Sequence, residues 1–213
     1  GERVPVSKGD WDESGGASAD YAFTVDWLRA CRRALAENGS IWVSGTQHNI
    51  YLVARTLHEL GFKVLNDIIW FKPNAPPNLS CRYFTHSHET LLWAAKHEES
   101  RYEFNYEVMK HWTGSNDRIN RTGRQMRSVW DIPVTPRREK TLGRHPTQKP
   151  LELLHRIVAS SSQPGDLVGD PFLGSGTTAV AAKALARRFW GSEQSAEFAE
   201  LAKKRIEETT WAG

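Results

Sequence analysis

Thirteen residues, 166–178 (Asp-Leu-Val-Gly-Asp-Pro-Phe-Leu-Gly-Ser-Gly-Thr-Thr), constrain this chain more than any other stretch. Leu167 and Val168 read as the end of a short buried strand, with Asp170 at its carboxyl edge. Gly174 and Gly176 permit a tight turn that a Cβ would obstruct. Residues 179–185 (Ala-Val-Ala-Ala-Lys-Ala-Leu) then form a run rich in helix formers. Strand, glycine turn and helix N-terminus, in that order, bind a cofactor at the carboxyl end of a parallel strand. No lysine follows Gly176, so a Walker phosphate loop is excluded. In such sites an acidic residue about 20 positions on accepts from ribose hydroxyls. Glu193 lies 23 residues after Asp170, just past a strand expected at residues 188–191.

The rest of the chain supplies a sheet for that strand to join. Phe23, Trp27, Leu28, Cys31 and Leu35 repeat with helical spacing, and Asn38-Gly39 reads as the stop. A strand at 41–43 follows, then a helix through Ile50, Leu52, Val53, Leu57 and Leu60, ended by Gly61. Residues 64–71 and 90–95 read as strands, separated by a loop with Pro73, Pro76 and Pro77. Pro150 suits the first turn of a helix buried through Leu151, Leu154, Ile157 and Val158. A last helix covers 196–208. Alternating strands and helices imply an α/β Rossmann-like three-layer sandwich with a mostly parallel sheet.

Residues 96–144 break that pattern. Between positions 110 and 144 there are nine basic residues and three acids, a surplus of six in a chain whose net charge is +3. Such a patch suits a phosphate backbone. Arg118, Arg121, Arg124 and Arg127 recur every three residues, and Gly114 and Gly123 favour a flexible loop over a helix. The segment reads as an inserted module of irregular structure. Arg82, with Asn74, Asn78 and Ser80, sits on the proline-rich loop and either lines a nucleic-acid cleft or belongs to an ordinary ordered loop. Trp130, before Asp131-Ile132-Pro133, reads as a packing anchor. Cys31 and Cys81 form no CxxC pair and read as free thiols in a reducing compartment. No His or Cys spacing fits a metal site. No apolar run approaches the ~20 residues of a membrane helix, and a cytoplasmic, intracellular home is the default expectation.

Residues 170–177 (Asp-Pro-Phe-Leu-Gly-Ser-Gly-Thr) resemble the S-adenosylmethionine motif of amino-DNA methyltransferases. Residues 145–150 (His-Pro-Thr-Gln-Lys-Pro) are similar to that family's accompanying motif. The cofactor motif follows the basic segment, an order that resembles the circularly permuted beta class. The resemblance implies three parts: an N-terminal portion of the catalytic domain over 1–95, a target-recognition region over 96–144, and a cofactor-binding portion over 145–213. It also implies roles. Phe172, Gly174, Ser175, Gly176 and Thr177 would surround the methionine part of the cofactor. Asp170 would lie near its amino group, and Glu193 would hold the ribose. Thr147, Lys149 and Pro150 would cradle the methionine end, with Lys149 on its carboxylate. Thr177 and Thr178 would cap the next helix. Arg82, Arg118, Arg121, Arg124 and Arg127 would meet DNA. The chain departs from the family pattern at Gly169 and Ser192, where aliphatic side chains are usual, and this loosens the expected cofactor packing.

The family's catalytic motif, a polar residue followed by Pro-Pro and an aromatic, is not found. The lone Pro-Pro pair, Pro76-Pro77, lies between Ala75 and Asn78, on the loop after the strand at 64–71. The permuted order puts the motif upstream of Gly1, on a strand beside the cofactor strand. The sequence therefore reads as an N-terminally incomplete version of a longer protein, with no catalytic residue of its own. The expected activity is methyl transfer from S-adenosylmethionine to adenine N6 in double-stranded DNA, with the target base flipped out. Cytosine N4 is the alternative, as is a non-catalytic DNA-binding partner subunit. A nicotinamide-dependent oxidoreductase fits the turn but leaves the basic segment without a role. A homodimer and a cognate restriction endonuclease, without stable complex, are compatible with the reading; a membrane partner is not.

Overall fold

The computed structural model describes residues 14–113 and 117–210. Gly114, weighed above, lies outside them, as do Trp11 and Asp12 near the start of the chain. The elements run α1 (Ala17–Ala34), β1 (Ser40–Gly45), α2 (Ile50–Glu59), β2 (Lys63–Phe71), β3 (His88–Ala95), α3 (Tyr106–Lys110) and β4 (Val129–Asp131). A 3-10 turn at Arg137–Lys140 follows, then α4 (Leu151–Ser161), β5 (Leu167–Asp170), α5 (Thr177–Ala184), β6 (Arg188–Gly191) and α6 (Ala196–Glu208).

The strands form two sheets. The larger has the order β1-β3-β2-β4, and the smaller pairs β5 with β6. β2/β4 and β5/β6 are parallel, whereas β3 runs antiparallel to both its neighbours. Three of the four strands in the larger sheet therefore share one direction. Alternation along β1 sends Ile41 and Val43 to one face and Trp42 to the other. On the first face Leu28 of α1 and Val53 and Leu57 of α2 pack with Phe62, Leu92 and Ala94. On the second, Leu153 of α4 packs with Ile68, Trp70, Leu91, Trp130 and Ile132. Helices on both faces make the three layers. Each fully buried leucine in these clusters stabilises the fold by about 1.5–3 kcal/mol before entropy is counted. A register shift between Val64 and Asn66 adds one residue to β2. It lets Val64 face the α1/α2 layer while Ile68 and Trp70 face α4.

Four local expectations need correction. Helix α1 ends at Ala34, not at Asn38-Gly39, because Leu35 turns extended at ψ 135° and packs into the core. Gly39 is not left-handed; a Cβ there would sit 3.0 Å from Leu35 Cδ2. The segment read as irregular carries α3 and β4, and β4 joins the main sheet beside β2. Leu167, expected to be buried, is 61% exposed, and its neighbour Trp190 on β6 is 55% exposed. Among the described residues β5 pairs with β6 alone, which leaves those side chains uncovered. Pro150 stands at the N-cap of α4, one place before the helix. By contrast, Gly61 (φ 74°), Gly174 (φ 54°) and Gly176 (φ 78°) adopt the left-handed backbone expected of their turns.

Candidate functional site

The turn after β5 is laced to the loop after β6. Asp170 Oδ1 accepts from the Phe172 N–H at 3.0 Å, and its Oδ2 accepts from Thr178 Oγ1 at 2.6 Å. The Leu173 N–H donates to the Ser192 carbonyl, and the Ser192 N–H to the Asp170 carbonyl. Glu193 closes the structure: one oxygen accepts the Gly174 N–H at 2.7 Å and the other the Ser195 N–H at 2.9 Å. A carboxylate accepting backbone N–H groups in this way makes charge-assisted bonds, stronger than neutral ones. Asp170, Gly174 and Glu193 are thus brought together as expected, 19 residues separating the last two.

Thr177 and Thr178 do not cap α5. Gly176 holds the cap position, and no side chain bonds there. Thr178 is spent on Asp170, while Thr177 and Ser175 are buried and accept from Arg205 of α6. Gly176 is glycine for two reasons: its φ, and the backbone of α6, since a Cβ there would lie 2.8 Å from Ala202 Cβ and 3.0 Å from Ala202 Cα. The Ser192 hydroxyl ties its loop to the turn, donating to the Pro171 carbonyl at 2.8 Å. Gly169 leaves only ordinary contact room, 3.5 Å from the Trp190 ring. Phe172, 55% exposed, stands edge-on to Trp27 of α1 at 5.6 Å.

Residues 145–150 lie against this turn. The His145 ring is 4.2 Å from Phe198 and is what a Cβ on Gly174 would meet first, at 3.3 Å. His145 Nδ1 accepts the Thr147 N–H at 3.3 Å, which assigns the other ring nitrogen as protonated. Burial lowers its pKa; Glu193 opposes that, and Lys149 and Arg205 add to it. Glu139 accepts the Leu151 N–H at 2.8 Å and so caps α4. Lys149 is paired with Glu89 at 3.3 Å, and Lys72 meets the other Glu89 oxygen at 2.5 Å. Burial of Glu89 opposes its charge, but the two lysines outweigh it and hold its carboxyl below the usual range. Pro150 is fully buried. The residues that bonding and packing reveal but motif reading passed over are Arg205, Glu139 and Glu89. The first lies in register with the apolar face of α6, four positions after Leu201, a placement that by itself names no partner.

The basic segment is not a flexible arm. Asp117 accepts the Ile119 and Asn120 N–H groups and the Arg156 Nη1 donor at 2.8 Å. Asn120 bridges the Val129 carbonyl and the Arg127 N–H. Arg156, on α4, is 0% exposed and stacks 5.0 Å over Trp130. Burial opposes the Asp117 charge, yet Arg156 and Asn120 keep its carboxyl below the usual aspartate range. Arg118 is committed to buried Asp131 at 2.7 Å. Arg121, Arg124 and Arg127 are exposed, the first two beside Asp117 and Arg156. Arg82 is exposed on a loop organised by Asn78, which bonds Ser80 and the Tyr83 carbonyl. Pro76-Pro77 lies on that same loop, between β2 and β3. Cys31 and Cys81 are free thiols. Among the described residues there is no group of side chains that could hold a metal, and no helix long and apolar enough to cross a membrane.

A three-layer α/β fold with a glycine turn tied to the acid after the next strand defines a nucleotide-cofactor enzyme class, here with an ordered basic face beside it. The chain belongs to the DNA methylase family of N6/N4 methyltransferases, whose model matches residues 4–204. S-adenosylmethionine is the methyl donor of this class and DNA its substrate. The chain is 48% identical over 205 residues to Type II methyltransferase M2.MboI of Moraxella bovis, spanning 96% of this chain and 72% of that protein. It is 49% identical over 207 residues to Type II methyltransferase M2.LlaDCHI of Lactococcus lactis subsp. cremoris, spanning 97% and 74%. Among solved structures, the M1.HpyAVI–SAM complex matches with a TM-score of 0.72 at 30% identity, over 90% of this chain and 85% of that one.

Proposed function

We propose that this chain holds the cofactor and contacts DNA in a site-specific methyltransferase acting on adenine N6. The carrying observation is the Gly174–Gly176 turn, tied to Glu193 on one side and covered by His145 on the other. When bound, S-adenosylmethionine supplies an electrophilic methyl group on its sulfonium sulfur. The turn, half-buried at Gly174 and held at φ values only glycine adopts freely, presents backbone rather than side chains beside Phe172 and so fits that group. Gly174, Gly176 and exposed Phe172 contact the methionine part, and Asp170 lies near its amino group. Glu193 has lone pairs left for ribose hydroxyls. Thr147 and Lys149 face the methionine end, while Pro150, Ser175 and Thr177, being buried, set the shape of the cradle from behind.

Residues 1–95 and 145–213 form the catalytic domain, and 96–144 form the recognition region. Exposed Arg121, Arg124, Arg127 and Arg82 reach the DNA, and Arg118 braces the segment through Asp131. Among the described residues the edge of β5 away from β6 and the edge of β1 away from β3 have no strand partner. A strand there would satisfy both edges, join the two sheets, and bring a Pro-Pro catalytic motif to the turn. Adenine is favoured over cytosine by the residues of 78–93 and 125–133, which resemble adenine-type members. A homodimer and a companion endonuclease belong to the same reading. The test uses tritiated S-adenosylmethionine and duplex DNA, followed by digestion to nucleosides and mass spectrometry. Methylated deoxyadenosine is expected; methylated deoxycytidine would move the target to N4. Cofactor and DNA binding without labelled product, in the protein carrying that motif, would leave only a binding subunit.

A further inference from the structure

Four residues on one face of α6, Phe198, Leu201, Ala202 and Arg205, each meet a different part of the cofactor cradle. Phe198 meets the His145 ring edge-on. Leu201 fills the place a Cβ on Gly143 would need, at 2.8 Å. Ala202 packs on Gly176. Arg205 Nη1 donates to the Ser175 carbonyl at 2.6 Å, to Ser175 Oγ at 2.9 Å and to Thr177 Oγ1 at 3.0 Å. Both hydroxyl partners are buried, so the guanidinium grips the turn from the side a ligand does not reach.

The charge is the unexpected part. Arg205 sits at the N-terminus of α5, where the helix dipole favours an anion. Burial opposes its charge as well, and the nearest carboxylate acting on it is Glu139, which is already spent on capping α4. Holding the turn in shape needs only a neutral donor; a cation there raises the potential under the turn. That suits a ligand whose own anionic group lies over it.

We propose that Arg205 is a positioning residue of the cofactor turn, fixing Ser175 and Thr177 from beneath and biasing the site toward ligands that carry a carboxylate. This rests on the reading of residues 170–178 as the S-adenosylmethionine site. The test compares S-adenosylhomocysteine with 5′-methylthioadenosine, which keeps the adenosine and thioether but lacks the amino-acid tail, its carboxylate together with its ammonium. Binding of each is measured by calorimetry in the wild type, Arg205→Met and Arg205→Lys, with thermal unfolding alongside. Arg205→Met should weaken S-adenosylhomocysteine by about tenfold, the scale of a charge–charge interaction acting across the turn at intermediate dielectric, and methylthioadenosine much less. Arg205→Lys, which keeps the charge but not the planar fork, should recover part of the difference. A merely structural arginine would weaken both ligands by the same factor, and either that result or unchanged affinity for S-adenosylhomocysteine overturns the proposal. If Arg205→Met does not fold, the ratio of the two affinities in Arg205→Lys and Ser175→Ala decides instead. A wild type that binds neither ligand removes the cofactor reading itself, an outcome distinct from a wild type that binds while the variants do not discriminate.

Discussion

Replacing Gly176 with alanine is the sharpest test of how α6 and the cofactor turn fit. At φ 78°, alanine pays for a left-handed backbone, about 1–2 kcal/mol. The new Cβ would also stand 2.8 Å from Ala202 Cβ and 3.0 Å from Ala202 Cα. The second contact is with backbone, which cannot rotate away, so α6 must shift; overpacking of this kind costs about 1–3 kcal/mol. Together these give a loss of roughly 3 kcal/mol, and at ~2–4 °C per kcal/mol for a chain of this size the midpoint should fall by about 6–12 °C. Ala202→Gly in the same background separates the two costs. It removes the shorter contact but not the backbone strain, and it adds about 1 kcal/mol of helix propensity loss. The double variant should therefore be less destabilised than the sum of the singles by about 1 kcal/mol. Thermal and denaturant unfolding of the four proteins reads this directly. A Gly176→Ala loss below ~1 kcal/mol, or strict additivity with Ala202→Gly, would refute the claim that α6 backs directly onto the turn.

Glu193→Gln leaves one oxygen where two now accept the Gly174 and Ser195 N–H groups. We expect a stability loss of ~1–2 kcal/mol and weaker S-adenosylhomocysteine binding in calorimetry; full retention of both would deny Glu193 its place in the turn. Alanine at Arg121, Arg124 or Arg127 should each lower the slope of log affinity against log salt by about one, while stability stays within ~0.5 kcal/mol. Arg118→Ala should differ, because it strands buried Asp131 and lowers the midpoint. His145 has a folded pKa below its unfolded one, so the unfolded chain binds the extra proton first. Its contribution is complete above the ordinary histidine range and declines as pH falls through it. Between pH 7.5 and 5.5 the wild type should therefore lose more midpoint than His145→Gln; equal losses would remove His145 as the cause.

Much of this architecture is readable from periodicity, and the places where reading fails share a cause. The stripes of α2 and α6 and the runs of β2 and β3 declare themselves because each buries one face against a layer that local spacing implies. β4 does not: three residues, Val129 to Asp131, carry too little pattern, and only pairing with Ile69, Trp70 and Phe71 makes them a strand. The end of α1 was misplaced because Asn38-Gly39 looks like a cap, whereas Leu35 leaves the helix to reach the core. Gly174, Gly176 and Glu193 were legible since their chemistry lies in residue type and spacing. Arg205, Glu89 and Arg156 were not, because a charged residue shows its meaning only when its partner is known. Those partners lie 28 to 60 residues away, as Thr177, Lys149 and Asp117 do.

Helix α4 shows how the two halves of the function are tied. Its first N–H is capped by Glu139, whose carboxylate also faces Arg205 under the cofactor turn. A turn later it presents Arg156, wholly buried, to Asp117 at the root of the basic segment. Burying that pair is costly, and apolar residues of equal volume would serve stability as well. What apolar residues could not do is fix the segment's register: Asp117 accepts from Arg156 and from two backbone N–H groups at once, so the loop bearing Arg121, Arg124 and Arg127 has one seating on the helix. Asp117→Asn should therefore cost about 1.5–3 kcal/mol, the scale of a hydrogen bond to a charged group, because Glu152 at 3.6 Å remains as a carboxylate beside Arg156. The wild-type contribution of Asp117, present above the ordinary aspartate range, should be lost as pH falls through its depressed value. An Asp117→Asn protein of near-native stability that also kept its full salt-dependent DNA affinity would break the link between recognition segment and cofactor helix.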